Sequence, residues 1–145
     1  MTAPLFSITT TTWEEHLDQL MAVRRVVFVE EQKVPEELDA DEMDVVSVHA
    51  LAVESVHGRP IGTARLLPNA HIGRVAVLKE WRKRGVGLAL MNCLLHRARE
   101  EKFTEIVIDA QTHTVGFYQK LGFVCEGAAF EVAGIPHRSM RLSLI

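Results

Sequence analysis

The first third of the chain changes from a strand-like pattern to a helical one. Residues 5–10 have the composition of a short edge strand, and Thr12 and Glu15 then have the spacing of a capping box. Inward-facing positions recur with a helical period after this box, at Leu17, Leu20, Met21, Arg24, Val27 and Phe28. This pattern predicts a helix of about four turns. We expect it to end near Lys33, because Pro35 disfavours a helical conformation in the residue before it.

The middle of the chain has the alternation and turn residues of an antiparallel meander. Three strand-like runs cover residues 46–56, 61–67 and 72–77. They are separated by residues 57–60, His-Gly-Arg-Pro, and by Pro68 and Asn69, which are typical turn sequences. We therefore expect these three strands to be neighbours in one sheet.

The second half alternates helices and strands. The pattern predicts a helix over residues 85–102, a central apolar strand over 105–110 and a short helix over 115–121 that Gly122 closes. It also predicts two last strands, over residues 123–126 and 137–144, on either side of a turn with Gly134, Ile135 and Pro136. This order is typical of an α/β or α+β fold with a mixed sheet. No repeat or linker divides the chain, so residues 1–145 are expected to form a single domain.

Composition restricts the class of protein. Hydrophobic residues make up 48% and charged residues 24% of the chain, which is ordinary for a globular protein. The net charge of -3 argues against a general nucleic-acid partner. No signal sequence or long apolar run is present, so we expect a cytoplasmic protein with no membrane partner. Cys93 and Cys125 are far apart and no histidine cluster accompanies them, so we expect no metal.

Residues 35–44 carry six carboxylates in ten positions. A run of this density is typical of a solvated loop. The alternative interpretation is a negative lip that attracts a cationic substrate to a cleft.

A basic and glycine-rich stretch follows the third strand of the meander. It contains Arg82, Lys83 and Arg84, followed by Gly85 and Gly87 at a predicted helix start. The spacing does not fit a P-loop or the dinucleotide fingerprint of a Rossmann fold. A solvated turn remains an alternative. The glycines and the partial positive charge of a helix N-terminus favour a cradle for a pyrophosphate.

The pattern Arg82-x-x-Gly85-x-Gly87, after a strand and ahead of the segment Phe117-Tyr118-Gln119-Lys120-Leu121-Gly122-Phe123, resembles the GCN5-related N-acetyltransferases, or GNAT family. Two further segments, residues 25–32 and 134–137, resemble its small ElaA-like or YjcF-like bacterial branch. The resemblance implies a three-layer fold whose mixed, mostly antiparallel sheet is splayed open and flanked by helices. It also favours a homodimer.

The resemblance implies acetyl-CoA as the cosubstrate and assigns residues to it. The pyrophosphate would bind the main chain of Arg82, Lys83, Arg84, Gly85, Val86, Gly87 and Leu88. The pantetheine arm would lie along Val75, Ala76 and Val77 as an additional strand, and its amides would pair with main-chain groups that the splay leaves free. Gln111, which stands where relatives often have Asn, and Phe117 complete the predicted cofactor site.

Acetyl transfer from a thioester to a primary amine requires a proton donor for the sulfur and a base for the amine. Tyr118, on the short helix that the family places beside the sulfur, is the predicted general acid. Glu31 is the preferred base. Glu54, His71, His113 and His137, or an ordered water, remain alternatives.

The predicted reaction is direct attack by a small-molecule or peptide amine in a ternary complex. An acyl-CoA-binding regulatory module without turnover is the alternative function. A nucleotide-binding domain that uses Gly85 and Gly87 for another phosphate is a third hypothesis.

Overall fold

The computed structural model describes residues 4–145, which contain one seven-stranded sheet. Its strands are β1 (Phe6–Thr11), β2 (Val48–Glu54), β3 (Pro60–Leu66), β4 (His71–Val77), β5 (Glu105–Gln111), β6 (Val124–Val132) and β7 (Ile135–Ser143). They lie in the order β1-β2-β3-β4-β5-β7-β6. Only the contact between β4 and β5 is parallel. The predicted meander and the central position of β5 are confirmed.

Helical segments cover both faces of this sheet. They are α1 (Leu17–Arg24), a π-helical segment (Arg25–Glu31), α2 (Glu36–Asp39), α3 (Met43–Val46), α4 (Val86–Glu100) and α5 (Val115–Lys120), with 3-10 turns at Lys79–Trp81 and Thr112–Thr114. One face packs against α4, because a Cβ added at Gly62 of β3 would meet Val86 and Leu90 of that helix. On the other face, Arg65 of the same strand binds acidic residues in and next to α3. The predicted three-layer, mixed and mostly antiparallel α/β fold is confirmed.

The first helix differs from the prediction at both ends. The Thr12 hydroxyl accepts a hydrogen bond from the Glu15 amide at 3.2 Å, but the residues between them form a turn and α1 begins at Leu17. After Arg24 the chain widens into the π-helical segment, in which the Gln32 amide bonds to the Val27 carbonyl at 3.1 Å. The extra residue in this wider turn changes which face each later side chain occupies.

Residues 35–44 were expected to form a solvated loop or a negative lip, and this holds for the exposed Glu36, Glu37, Asp41 and Glu42 but not for Asp39 and Asp44. The segment contains α2 and the start of α3, and the side chains of Asp39 and Asp44 are fully buried. Arg24 and Arg65 pair with them, so the carboxylates are not available to water or to a cationic substrate. Buried carboxylates need such partners because desolvation of an unpaired charge is costly.

The last two strands are longer than predicted. β6 extends to Val132 and β7 begins at Ile135, so that the connection consists of Ala133 and Gly134. These two residues have φ of 52° and 78°, as a tight two-residue hairpin turn requires. Pro136 therefore lies within β7, opposite Glu131, and not in the turn. No described helix meets the length and apolarity that a bilayer crossing needs.

Candidate active site

The centre of the sheet is open where β4 and β5 separate. The two strands pair only at His71 with Val107 and at Ile72 with Ile108, the N-terminal end of β4. On the β3 side, β4 carries an extra residue around Arg74, whose φ is 51°. This bulge and the separation leave the β5-facing edge of β4 without a strand partner among the described residues. The splay implied by the resemblance is therefore present.

A cleft of about 1050 Å³ occupies this opening. Its walls come from β4, β5, the π-helical segment, α2, α5 and the glycine-rich turn. The predicted site residues that line it are Glu31, Val75, Ala76, Val77, Arg82, Lys83, Gly85, Gly87, Leu88, Gln111, Phe117 and Tyr118. Val86 and Arg84 are not among the lining residues. The fold thus brings ten of the twelve predicted cofactor-binding residues to one cleft, together with both predicted catalytic residues.

The glycine-rich turn ends at the first turn of α4. Gly85 is the N-cap with φ of 86°, and the helix begins at Val86, as predicted. The amides of the first helical residues have no acceptor within the helix, so the amides of Val86, Gly87 and Leu88 are free to bind an anion at the positive end of the helix dipole. Lys83 also has a positive φ, of 62°. The turn therefore has the geometry of a phosphate cradle.

The two glycines serve this turn in different ways. The positive φ at Gly85 strains any other residue, although an added Cβ would meet no atom within 4 Å. At Gly87 an added Cβ would lie 3.6 Å from the Phe117 ring and 4.0 Å from Val77, so Gly87 forms the floor between these two cleft residues. The glycine there keeps the cleft wide where a cofactor would pass.

The side chains of Arg84 and Val86 face away from the cleft. The Arg84 guanidinium lies 4.7 Å from the centre of the Trp81 ring, in a cation-π contact. The Val86 side chain is buried in the core. For Val86, a cofactor contact is therefore restricted to the main-chain amide.

Glu31 and Gln32, at the end of the π-helical segment, contact opposite sides of the cleft. Glu31 binds Arg82 through two hydrogen bonds of 2.6 and 2.7 Å. Gln32 accepts a hydrogen bond from the Gln111 amide on β5 at 2.9 Å. Arg82 also donates to the Val77 carbonyl at 3.0 Å. These contacts therefore involve Arg82, Gln111 and the Val77 carbonyl, all of which belong to residues that the resemblance assigns to the cofactor.

The contact with Arg82 changes the chemistry expected of Glu31. The hydrogen bonds from Arg82 hold the pKa of Glu31 below its usual value, and the Arg82 charge acts in the same direction. A carboxylate with a lowered pKa is a weaker base. In this arrangement Glu31 orients Arg82 and is poorly suited to remove a proton from an amine.

Tyr118 lies on α5 with 8% of its surface exposed. Burial raises the pKa of Tyr118 to about 12. Its ring packs edge-on against Phe117 and Phe123, at centroid distances of 5.0 and 5.9 Å. The hydroxyl is therefore a proton or hydrogen-bond donor throughout the physiological pH range, held by a rigid aromatic cluster on the cleft wall.

The other candidate bases divide between the cleft and the turn after β2. His71, His113 and His137 all line the cleft. Glu54 does not; it accepts a hydrogen bond from the His57 amide at 3.0 Å in the turn after β2. The three histidines therefore stay candidate bases, whereas Glu54 lies outside the lining of the cleft and is not suited to this role.

A buried ion network at one end of the cleft was missed by the sequence analysis. Asp44 accepts hydrogen bonds from Arg24 at 2.8 and 3.1 Å and from Arg65 at 2.9 Å. Asp39 and Arg74 extend this network to the bulge of β4. The available signal was an arginine inside each of two otherwise apolar patterns, at position 24 of the helical stripe and at position 65 of a buried strand.

Comparison with known proteins agrees with this geometry. The model of the acetyltransferase (GNAT) domain matches residues 15–144. The chain belongs to the GNAT family. It is 37% identical to the N-acetyltransferase YjcF of Bacillus subtilis over 131 residues, covering 88% of this chain and 92% of YjcF. It is 30% identical to ElaA of Escherichia coli over 132 residues, covering 87% and 86% of the two chains.

Solved structures of GNAT proteins have the same fold. An acyl-CoA N-acyltransferase from Pseudomonas aeruginosa superposes with a TM-score of 0.81 at 30% identity, and 94% of this chain and 98% of that one are covered. The crystal structure of Escherichia coli ElaA gives the same TM-score and coverage at 28% identity. The predicted family and its ElaA-like and YjcF-like branch are confirmed. The protein is an acyltransferase of the family that takes acyl groups from acyl-CoA and in general passes them to amines.

Proposed function

We propose that this GNAT protein transfers an acetyl group from acetyl-CoA to a primary amine of a small molecule or peptide, by direct attack in a ternary complex. The observation that carries the proposal is the meeting of three parts in one cleft. These parts are the unpaired edge of β4, the anion-binding start of α4 and the buried Tyr118. An unpaired strand edge binds an extended chain of amides, and a helix start binds phosphate.

In the proposed complex the pyrophosphate of acetyl-CoA binds the amides of Val86, Gly87 and Leu88, with Lys83 at the rim. The pantetheine arm lies along β4 and passes between Phe117 and the Val77 side chain. Arg82 then exchanges Glu31 for the pyrophosphate, because a phosphate carries more charge than a carboxylate and offers more acceptor oxygens. This exchange also releases the Val77 carbonyl from Arg82.

Tyr118 donates its hydroxyl proton to the sulfur as CoA leaves. Complete transfer from a tyrosine of pKa about 12 to a thiolate whose conjugate acid has a pKa of about 8.5 is uphill by about 5 kcal/mol. The Tyr118 proton therefore stays in a hydrogen bond to the sulfur while negative charge develops there. It moves to the sulfur only after the bond between carbon and sulfur has broken. This role requires a neutral tyrosine, which burial ensures.

The amine loses its proton to water or to a cleft histidine. His113 is exposed at the end of β5, and His71 lies at the start of β4, so either is accessible to solvent. Glu31 contributes as a base only after Arg82 has been drawn to the pyrophosphate. The oxyanion of the intermediate binds a main-chain amide near the bulge of β4.

The test is a measurement of thiol release from acetyl-CoA with a panel of amines. Release above background with any amine, together with mass-spectrometric detection of the acetylated amine, is the expected result. Thermal stabilisation by acetyl-CoA without any turnover would instead support the regulatory module. Stabilisation by ATP or NAD but not by CoA would overturn both proposals.

Four further parts of the proposal rest on the sequence. We propose that residues 1–145 act as one domain, that the reaction needs no metal, that the enzyme forms a homodimer and that it is cytoplasmic. Size-exclusion chromatography with light scattering tests the dimer, and activity that survives EDTA treatment tests the absence of a metal requirement.

A further inference from the structure

The buried ion network removes much of the negative charge that the lip interpretation of residues 35–44 places at one end of the cleft. Residues 35–44 were expected to supply free negative charge. In the structure their aspartates are occupied by arginines from three other elements, α1, β3 and β4. Among the charged side chains of this network that line the cleft, that of Arg74 is the most exposed.

Arg24 and Arg65 use most of the acceptor capacity of these aspartates. Arg24 binds Asp44 at 2.8 Å and Asp39 at 3.3 Å. Arg65 binds Asp41 at 2.6 Å and Asp44 at 2.9 Å. Each of these five groups therefore has at least one close partner of opposite charge.

Arg74 has much weaker contacts. Its Nε and Nη2 atoms donate to the carbonyls of Asp39 and Leu38, at 3.1 and 3.3 Å. Its nearest carboxylate oxygens are 3.4 Å away on Asp41 and 3.9 Å away on Asp39. Within residues 4–145, its Nη1 atom has no hydrogen-bond acceptor. Arg74 therefore shares the carboxylates of Asp41 and Asp39 with Arg65 and Arg24, and its contacts with them are the longest in the network.

Three arginines share three aspartates in this network, so the Arg74 charge has no counterion that it does not share with another arginine. Burial lowers the pKa of Arg74, and the positive charges of Arg65 and Arg24 lower it further. The Nε atom of Arg65 is buried without a hydrogen-bond partner, which adds another unsatisfied donor to the same network. An anion beside Arg74 would accept a hydrogen bond from its Nη1 atom, whereas the buried Nε atom of Arg65 lies out of reach of a ligand.

A ligand in the cleft can reach Arg74. About a third of its side chain is exposed, 32%, and the residue lines the cleft. The Oδ2 atom of Asp39 is also unpaired, but the Asp39 side chain has no exposed surface, so a ligand meets the arginine and not the aspartate.

The position of Arg74 places it beside the reacting groups of the proposed reaction. It is the bulged residue of β4 and directly precedes Val75, where the proposed pantetheine path along the strand edge begins. An anionic group bound to Arg74 would therefore belong to the molecule that enters from the other end of the cleft, which is the acceptor.

We infer that the acceptor amine carries a carboxylate, as an amino acid or a peptide C-terminus does, and that Arg74 binds this carboxylate and determines acceptor specificity. The inference rests on the proposed acetyltransferase function. A carboxylate matches the planar guanidinium of Arg74, and the comparison with phosphoethanolamine below distinguishes it from a phosphate.

The first experiment compares matched amines with the wild-type protein. Phenylalanine is compared with phenethylamine, and leucine with isoamylamine, each pair differing only in the carboxylate, and phosphoethanolamine tests the phosphate. We expect kcat/KM to be about 10- to 100-fold higher for the carboxylate-bearing member of each pair, the range of a charge-assisted hydrogen bond. Equal turnover within a pair, or preference for phosphoethanolamine, would overturn the inference.

The second experiment changes Arg74. Arg74→Met removes the charge and retains much of the apolar stem, Arg74→Lys restores the charge, and Arg59→Met removes an exposed arginine that pairs with Glu80 outside the cleft. We expect Arg74→Met to lower the preference for phenylalanine over phenethylamine, measured as the ratio of their kcat/KM values, at least tenfold. Arg74→Lys should recover part of the loss. An equal loss for both amines would show a structural role and contradict the inference.

Failure of the proposed function is recognised separately. If no amine of the panel releases CoA, the acetyltransferase proposal fails, and the Arg74 site is then tested by calorimetric titration of phenylalanine and phenethylamine into the complex with CoA. Tighter binding of phenylalanine that Arg74→Met abolishes would support the site. Equal or undetectable binding of the two would reject it.

Discussion

Replacement of Asp44 by asparagine tests whether the acid-rich segment is a structural ion network. Asp44 has no exposed side-chain surface and accepts four hydrogen bonds, three from arginines and one from the Asp41 amide at 3.0 Å. Asparagine keeps one acceptor oxygen but presents an NH2 group where Oδ2 receives Arg24 and the amide. Asp44→Asn therefore removes a charge and directs a donor against two donors.

The size of the effect follows from burial. Removing one partner of a buried ion pair costs about 3–5 kcal/mol, because the remaining charges stay desolvated. For a chain of 145 residues, an unfolding entropy of about 2.1 cal/mol/K per residue converts this loss into a decrease in Tm of roughly 10–16 °C. The network supports the acceptor end of the cleft, so the variant should also lose activity before it unfolds globally.

The assay is urea denaturation of the wild type, Asp44→Asn and the control Glu42→Gln at pH 7. Glu42 is exposed on the same segment, so its variant should stay within about 0.5 kcal/mol of the wild type. A loss below about 1 kcal/mol for Asp44→Asn, similar to the control, would refute the buried network as a source of stability.

The pH dependence of this difference gives an independent check. Burial alone would raise the pKa of Asp44, but the hydrogen bonds from Arg24 and the Asp41 amide outweigh it, and the pKa lies below its usual value. A carboxyl whose folded pKa is lowered contributes stability above its unfolded pKa, near 3.9, and loses it as the pH falls through the folded value. The difference between wild type and Asp44→Asn should therefore be constant above about pH 5 and shrink below about pH 4. A difference that persists unchanged at low pH would contradict the ionised network.

Three further predictions concern the cofactor end of the cleft. Tyr118→Phe should lower kcat about 10- to 1000-fold at unchanged acetyl-CoA affinity, and unchanged turnover in the variant would exclude Tyr118 as the proton donor. Because burial raises the pKa of Tyr118 to about 12, wild-type kcat should show no loss from tyrosine ionisation up to about pH 10.5. Gly85→Ala should weaken acetyl-CoA binding at least tenfold in calorimetry. The control Gly127→Ala, at another open position with positive φ (72°), should impose similar backbone strain without affecting binding. Equal affinities of the two variants would argue against the phosphate cradle. Glu31→Gln should release Arg82 and tighten CoA binding by up to about fivefold, since an exposed ion pair is worth at most about 1 kcal/mol; weaker binding would show that Glu31 must hold Arg82 in place for the cofactor.

Local patterns were sufficient for the elements and for the phosphate-binding turn. The apolar period of α4 and the glycine at position 85 are both short-range signals, and the helix begins one residue after that glycine. A positive φ and a helix start depend on neighbouring residues alone, so a sequence window contains them. The resemblance to the GNAT family then extended this local agreement to the order of strands and to the splay.

The charge partners could not be found in the same way. Asp39 contacts arginines 15 and 35 positions away in the chain, and Glu31 contacts Arg82 over 51 positions. A dense acidic run has the same composition whether water or arginine surrounds it, so composition favoured the commoner solvated state. Only the packing of α1 against β3 and β4 brings these arginines to residues 39–44.

The sequence by itself thus determined most of the turns, all seven strands, the long helix α4 and the family of the protein, because these depend on local spacing and on motifs. The tertiary structure alone decided the protonation and partners of the titratable groups. It paired the aspartates of residues 39–44 with arginines instead of water, tied Glu31 to Arg82 and placed Arg74 in the lining of the cleft. The physical reason is that desolvation and pairing of charges depend on distances between segments far apart in the chain, which no local pattern records.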